Sequence, residues 1–212
     1  MIDYDRRWKA VLYQSRHFFA PVIVSGIPSV KARTAELHVT SDCQKDVSGV
    51  LEWLVTDLDG NELLSGHRDI HIPARTSFNA HTLDLSHEVV AHGENNILIW
   101  PQVIISGHVV AQNALFFPRP LELKLPRPNI SHTIRGGGRK YHITVMSDKP
   151  ALWCFLRLKT ARGQFSDNFF HLYPGREMHI YLTLDEPLPP ADVADELSIG
   201  SVYDLAPDMR RM

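Results

Sequence analysis

Val50-Leu51-Glu52-Trp53-Leu54-Val55-Thr56-Asp57-Leu58-Asp59-Gly60-Asn61 reads as a strand running into a hairpin turn. Leu51, Trp53 and Val55 point one way, and Val50 and Leu54 point the other, with Glu52 between them. A strand that is apolar on both faces belongs in the middle of a sheet. Gly60 supplies the positive φ that a tight hairpin needs, and residues 63–72 make the return strand, which Pro73 ends. On the N-terminal side, Ala35, Leu37 and Val39 alternate with polar residues as far as Ser41-Asp42. On the C-terminal side, residues 97–105 and 108–117 read as two strands joined at Ser106-Gly107. The stretch between, residues 79–96 with Asp84-Leu85-Ser86, reads as loop with short extended pieces.

Further along, Pro118, Pro120, Pro126 and Pro128 surround Leu121-Glu122-Leu123-Lys124-Leu125. Proline fixes φ and removes donors, so a stiff connector with one strand inside it is expected, and a domain boundary with it. Beyond the joint, Tyr141, Ile143 and Val145 alternate with Lys140, His142 and Thr144. Residues 151–159, 169–173, 178–184 and 198–204 continue the series, with Pro174-Gly175 as a sharp turn. Short strands separated by turn signals every 8–12 residues or so predict sandwiches, not parallel α/β units.

The first twenty residues are different. Trp8, Val11, Leu12, Ser15 and Phe19 follow three- and four-residue spacing, which predicts an amphipathic helix ending before Pro21. Burying each large apolar side chain is worth about 1.5–3 kcal/mol, so that face needs a partner. No later segment has helix-length periodicity. The expected fold is all-β: two β-sandwich domains, residues 25–125 and 126–212, preceded by a helix-and-strand piece at 1–24.

A content of 44% hydrophobic and 22% charged residues in 212 supports a folded core. The net charge of −2 is spread along the chain, so no basic track exists to follow a phosphate backbone, and nucleic acid is not an expected partner. The longest apolar runs, 18–24 and 97–105, fall short of the roughly 20 residues that span a bilayer, so no membrane association is expected. Asp3, Asp5, Arg6 and Arg7 interrupt any N-terminal leader-like core, which leaves the compartment open. Cys43 and Cys154 fall in different expected domains, and neither has a CxxC partner, so neither a disulfide nor a zinc site is expected.

Chemistry needs converging groups. His67, Asp69 and His71 alternate onto one strand face in a metal-like spacing, but a solvated face is the preferred reading, because zinc also wants further ligands and support. Ser15 with His17, and Ser131 with His132, are sequence neighbours that do not make a triad, and no G-x-S-x-G elbow accompanies them. Cys43 reads as an incidental thiol in a polar turn. Gly136-Gly137-Gly138 before Arg139-Lys140 lacks the Lys-Ser/Thr of a phosphate loop and reads as a flexible hairpin tip. Trp53 and Trp153 are expected in the core, and Trp100, before Pro101, is the one tryptophan that remains a candidate sugar platform, with burial the preferred reading because buried aromatics are the default.

Several stretches resemble the C-terminal part of glycoside hydrolase family 2 β-mannosidases. Arg7-Trp8-Lys9-Ala10-Val11-Leu12-Tyr13 with Arg16-His17-Phe18-Phe19-Ala20-Pro21-Val22 is similar to the last barrel helix and exit strand. Val39-Thr40-Ser41-Asp42, Val47-Ser48-Gly49-Val50-Leu51-Glu52-Trp53 and Asp57 with Asp59-Gly60 resemble the immunoglobulin-like domain after the barrel. Phe165-Ser166-Asp167-Asn168-Phe169-Phe170-His171-Leu172-Tyr173-Pro174-Gly175 is similar to the signature of the terminal immunoglobulin-like domain, and Ser201-Val202-Tyr203-Asp204 to its closing strand. The chain departs from the pattern at His171, where the family usually has Asp, and at Arg176, where it commonly has Glu. The resemblance implies two immunoglobulin-like sandwiches, with the N-terminal helix as the remnant of a barrel. It also implies a parent that is a retaining exo-glycosidase acting on terminal β-linked mannose through two barrel glutamates. Neither glutamate has a counterpart here, since a (β/α)₈ barrel takes at least about 200 residues of its own. No catalytic, cofactor-binding or metal residue is therefore carried over. The expected partner is the chain's own upstream barrel, and in its absence the helix is expected to pack on the first sandwich, pair two copies or fray. A carbohydrate-binding module and a free-standing adhesion-type protein are the alternatives.

Overall fold

The structure, a computed structural model, describes Ile2 and residues 7–205, so Asp3, Asp5 and Arg6, used above, lie outside the described residues. The chain forms two compact units. One joins the N-terminal residues through Ser15 to the chain from Leu125 onward; the other is Arg16–Lys124. The crossing at residues 124 and 125 falls inside the proline-rich joint. That joint holds no strand. Pro120–Glu122 is a 3₁₀ turn, and the Arg119 N–H donates to Glu122 Oε2 at 3.1 Å.

The chain enters through helix α1 (Ala10–Phe18), whose last turn carries Arg16 and His17, favourable at the negative end of the dipole. The Arg16–Lys124 unit then builds β1 (Val22–Ser29), β2 (Thr34–Ser41), β3 (Val47–Asp57), β4 (Glu62–Ile72), β5 (Thr76–Asp84), α2 (Ser86–His92), β6 (Ile97–Ile105) and β7 (His108–Gln112). Its two sheets run β1-β2-β5 and β4-β3-β6-β7, antiparallel throughout. Leu37 and Val39 of one sheet and Leu51, Val55, Ile97 and Ile99 of the other fill the space between them. As its two apolar faces require, β3 is central. At the hairpin after it, Asp57 Oδ1 accepts the Asp59 and Asn61 N–H groups at 2.9 Å, and Gly60 takes φ 91°.

Three expectations change here. Residues 21–24 do not stand apart as an exit piece, because Val22 already pairs with Ser41 in the first sheet. Residues 79–96 are not loop but most of β5, α2 and a 3₁₀ turn. Asn79-Ala80-His81-Thr82 hides the strand because only Ala80 and Leu83 face the core. The strand expected over 108–117 ends at Gln112, with one further bridge from Leu115 to Ile99. Pro101 is tolerated inside β6 because β7 ends opposite it: the Asn113 N–H donates to the Pro101 carbonyl at 3.0 Å, and no ladder donor is required of the proline.

The other unit contains β8 (Ile130–Ser147), β9 (Ala151–Leu158), β10 (Gly163–Phe165), β11 (Phe170–Leu172), β12 (Met178–Leu188), α3 (Pro190–Glu196), β13 (Leu197–Gly200) and α4 (Val202–Leu205). Its sheets run β10-β12-β8 and β11-β9-β13. An extended strand as long as β8 would measure about 60 Å, yet its flanking residues meet. The Asn129 N–H donates to Asp148 Oδ1 at 2.7 Å, and the Asp148 N–H to the Asn129 carbonyl at 3.3 Å. The strand therefore doubles back at its glycines, where Gly136 has φ 135° and Gly138 φ 63°. Tyr141, Ile143 and Val145 on the second half of β8 and Ile180, Leu182 and Leu184 on β12 form one wall of the core, facing Cys154, Leu156 and Leu158. The closing strand expected over 198–204 stops at Gly200, because Asp204 Oδ2 accepts the Ser201 N–H at 2.8 Å and starts α4. The three helices after residue 20, α2, α3 and α4, are seven, seven and four residues long, too short to show a period.

Candidate functional site

The signature Ser166-Asp167-Asn168-Phe169 is a loop fastened to both sheets of its sandwich. On one side Ser166 meets β12: its N–H donates to the Tyr181 carbonyl at 2.7 Å, and its hydroxyl accepts the Tyr181 N–H at 2.9 Å. On the other side Asn168, only 4% exposed, pairs with β9. Its Oδ1 accepts the Leu156 N–H at 2.8 Å and its Nδ2 donates to the Leu156 carbonyl at 2.9 Å. One amide side chain thus replaces a strand partner. Asp167 Oδ1 accepts the Asn168 N–H at 2.8 Å and Asn168 Oδ1 the Phe169 N–H at 3.0 Å, so the loop also braces itself.

Next to it the backbone is strained. Phe169 has φ 59° and Trp153 φ 47°, values that bulky side chains rarely adopt. Trp153 lies where β9 spends one more residue than β11 between the pairs Phe170–Cys154 and Leu172–Ala151, which makes it part of a β-bulge. Its N–H, turned out of the ladder, donates to His171 Nδ1 at 3.2 Å, and the two rings meet edge to face at 5.0 Å. This is the position where the resemblance expects Asp; an imidazole nitrogen accepts that N–H as a carboxylate oxygen would. Arg176, in place of the expected Glu, lies over the Tyr173 ring at 5.0 Å.

The strained Phe169 receives helix α1. Gln14 Nε2 donates to the Phe169 carbonyl at 2.8 Å, and the Tyr13 and Phe169 rings lie 6.1 Å apart. Tyr13 is 3% exposed, and Trp8 packs on it at 5.4 Å. The buried residue of the helix is Tyr13, with Trp8 packed on it from just ahead of the helix; of the expected stripe Trp8 takes part, whereas Val11 and Phe19 are 41% and 84% exposed. The helix joins the terminal sandwich, a surface not among the three expected outcomes of packing on the first sandwich, pairing two copies or fraying.

The remaining candidates do not come together. His67, Asp69 and His71 are all exposed on β4, and His71 Nε2 faces Asp46 Oδ2 at 3.2 Å. No group of three His, Cys, Asp or Glu converges among the described residues. Ser15 Oγ donates to the Leu12 carbonyl at 2.8 Å, so it is committed to its own helix. Ser131 and His132 are exposed neighbours on β8. Cys43 is half-buried, whereas burial pushes the Cys154 thiol up to about 12, which leaves it a packed apolar group. Near the glycine turn, Arg139 pairs loosely with Glu186 at 3.4 Å.

Trp53 and Trp153 are less buried than expected, and Trp100 follows the buried default. Trp100 is 8% exposed and donates Nε1–H to Thr56 Oγ1 at 3.0 Å, while Gln102 Nε2 donates to Glu52 Oε2 at 2.6 Å on the same sheet. Trp53 is half-buried, with its ring stacked 4.4 Å from His81 and packed close to Gly66 across the strand. His81 is held below the ordinary histidine range by its partial burial and by Arg68. Trp153 is half-buried.

Carboxylates here fasten backbone. Asp46 Oδ1 accepts the Ala74 N–H at 2.9 Å, and Asp84 Oδ1 the Ser86 N–H at 2.9 Å. Glu196 accepts the Thr160 N–H at 2.7 Å, the Thr160 hydroxyl at 2.6 Å and the Ala161 N–H at 2.9 Å, and these bonds hold it at about 2. Asp57 is also held below its ordinary value: burial raises it, but the side-chain bond from Asn61 and the N–H groups of Asn61, Asp59 and Gly60 outweigh that. A glycosidic acid needs the opposite, a carboxyl raised toward neutrality.

Comparison with known proteins agrees with this architecture. Residues 33–121 match a family described as a Mannosidase Ig/CBM-like domain, and residues 125–205 match a mannosidase immunoglobulin family described as an Ig-fold domain. Beta-mannosidase A of Aspergillus terreus is 26% identical over 96% of this chain, and that of Neosartorya fischeri also 26% over 96%. The chain spans only 23% of the length of each, so the matching region is one part of each of these longer proteins. In fold, the β-D-mannosidase of Dictyoglomus thermophilum superposes over 94% of this chain and 24% of its own, with TM-score 0.79 and 22% identity. The exo-chitosanase CsxA of Amycolatopsis orientalis does so over 94% and 28%, with TM-score 0.66 and 15% identity. Through both of its sandwiches, the chain belongs to the C-terminal immunoglobulin-like domains of family 2 β-mannosidases.

Proposed function

We propose that this chain is the non-catalytic, structural C-terminal part of a β-mannosidase-like glycosidase that hydrolyses terminal β-linked mannose, with the catalytic barrel supplied ahead of it. The observation that carries this reading is the match itself: both sandwiches correspond to accessory domains, over about a quarter of enzymes named for the activity. The helix and its exposed Phe18 and Phe19, 61% and 84% accessible, then form the surface that the preceding domain covers. In the isolated chain the same surface pairs two copies. Purified chain is expected to release no chromophore from an aryl β-mannoside; turnover that co-purifies with it would overturn the proposal. Sedimentation of Phe18→Ser/Phe19→Ser against wild type tests the pairing, which is refuted if the two associate equally.

The family description of residues 33–121 as CBM-like favours a second reading, a carbohydrate-binding first sandwich. Titration with manno-oligosaccharides separates the two: saturable heat supports sugar binding, and a flat trace supports the structural role.

A further inference from the structure

Helix α1 and the loop that receives it lie 155 residues apart at their hydrogen bond, with the whole of the Arg16–Lys124 unit inserted between them. We infer that residues 166–169 are a recognition site for the helical segment carrying Trp8, Tyr13 and Gln14, so that the terminal sandwich grips the chain ahead of the first sandwich directly. It rests on the accessory reading only for the identity of what precedes the helix.

Three observations carry it. First, the strain at Phe169 has a use. A residue at φ 59° leaves the strand ladder before β11 begins, and its freed carbonyl is taken by a side chain, Gln14, not by a neighbouring strand. Such a conformation persists only where the surroundings over-determine it, and Asn168, bonded to Leu156 through both ends of its amide, does so. Second, the seat is aromatic and shaped. Phe155 lies 6.3 Å from Phe169, Phe169 lies 6.1 Å from Tyr13 and Tyr13 lies 5.4 Å from Trp8, a continuous run of rings from β9 into the helix. Third, α1 has nine residues and no acidic residue in its first turn. A helix so short is marginal by itself in water. With Val11 and Phe18 largely exposed, its order comes from the seat. The Ser-Asp-Asn-Phe signature is then a helix-holding loop whose polar residues fix the backbone and whose phenylalanine makes the contact.

Amide hydrogen exchange on the intact chain tests this. Amides of α1 are expected to be protected in wild type. Gln14→Ala is expected to speed their exchange about fivefold, as for one lost hydrogen bond, and Tyr13→Ala by at least about tenfold. Amides of β9 and β12 should hold their wild-type rates, and Val11→Ala, at an exposed position of the same helix, should change nothing. Helix amides that exchange freely in wild type, or at unchanged rates in both variants, overturn the inference. If Tyr13→Ala loosens the whole sandwich, Gln14→Ala alone decides, by the same criterion. Activity on an aryl β-mannoside bears only on the accessory reading: a chain that turned it over with α1 still docked would remove that reading and leave this one intact.

Discussion

Asn168 is the residue on which the terminal sandwich turns most visibly. A buried N–H and C=O of one strand are both satisfied by its single amide, and only glutamine, one methylene longer, carries the same acceptor and donor. Asn168→Ala leaves both Leu156 groups without partners, at about 1–3 kcal/mol each. Asn168→Asp keeps the acceptor but buries a carboxylate oxygen against the Leu156 carbonyl, so at neutral pH its cost is expected to equal or exceed that of alanine. Midpoints of urea unfolding for the two variants check the order; an alanine variant as stable as wild type would refute the role. Glu196 makes a pH-dependent contribution. Its folded value of about 2 lies below the ordinary 4.5, so its contribution is complete above the ordinary value and drains away as pH falls toward the folded one. The stability gap between wild type and Glu196→Gln is expected to be constant near neutrality and to close between pH 4.5 and about 2, followed by denaturation at stepped pH. Residue environments were the least legible part of the sequence. Pro101 leaves Trp100 as the one candidate for exposure, but β6 is buried on both faces over Ile97–Val103, and an indole there has no exit. Trp53 reads as core because its strand is apolar, yet it packs against the core only half-buried, and Gly66 across the strand makes room for its ring. A methyl at Gly66 would lie 2.5 Å from Trp53 Cζ2, a contact that only the cross-strand register reveals.

Elements were legible wherever periodicity and turn chemistry agreed. β2, β3, β4, β6 and β9 follow their apolar alternation or runs, and the hairpins after β3 and β6 follow Gly60 and Ser106-Gly107, whose φ values are 91°, 50° and 78°. β5 escaped because its outward face is polar and a bulge at Ala80 breaks its alternation, leaving Ala80 and Leu83 buried three residues apart, and β10 because three residues show no period. The helix was legible as an element but not in its buried face, since that face is chosen by Phe169, far along the chain. The doubled-back β8 is an element-scale case in which adjacent glycines are not equivalent. Gly136 has φ 135°, and a methyl on it would meet the Lys140 carbonyl oxygen at 2.3 Å; nothing lies within 4 Å of the same position at Gly137. Gly136→Ala is therefore expected to cost about 1–3 kcal/mol through strain and displacement of the turn, whereas Gly137→Ala should be close to neutral. Thermal unfolding of the two single variants is the check, and equal melting temperatures would show that the turn has no fixed geometry.

At the scale of the whole molecule, a compact unit made of the N-terminal helix and the terminal sandwich has a second unit threaded into its chain between Ser15 and Leu125. The two hydrophobic clusters share no residue: Leu37, Leu51 and Ile99 belong to one, and Ile143, Ile180 and Leu182 to the other. Burial is the dominant favourable term in each, so each core should answer for its own unit. Leu37 and Ile180 are both fully buried, and truncating either to alanine is expected to cost about 2–5 kcal/mol. Leu37→Ala should then lower protection against exchange in β1–β7 while β8–β13 and α1 keep theirs, and Ile180→Ala should do the reverse. The assignment of α1 is the discriminating part, because sequence order places the helix beside β1. If its amides followed Leu37→Ala, the helix would belong energetically to the first sandwich; if they follow Ile180→Ala, the terminal sandwich holds both ends of the chain as one cooperative body. Neighbourhood in sequence and membership in a core are separate properties here, and this pair of substitutions reads them independently.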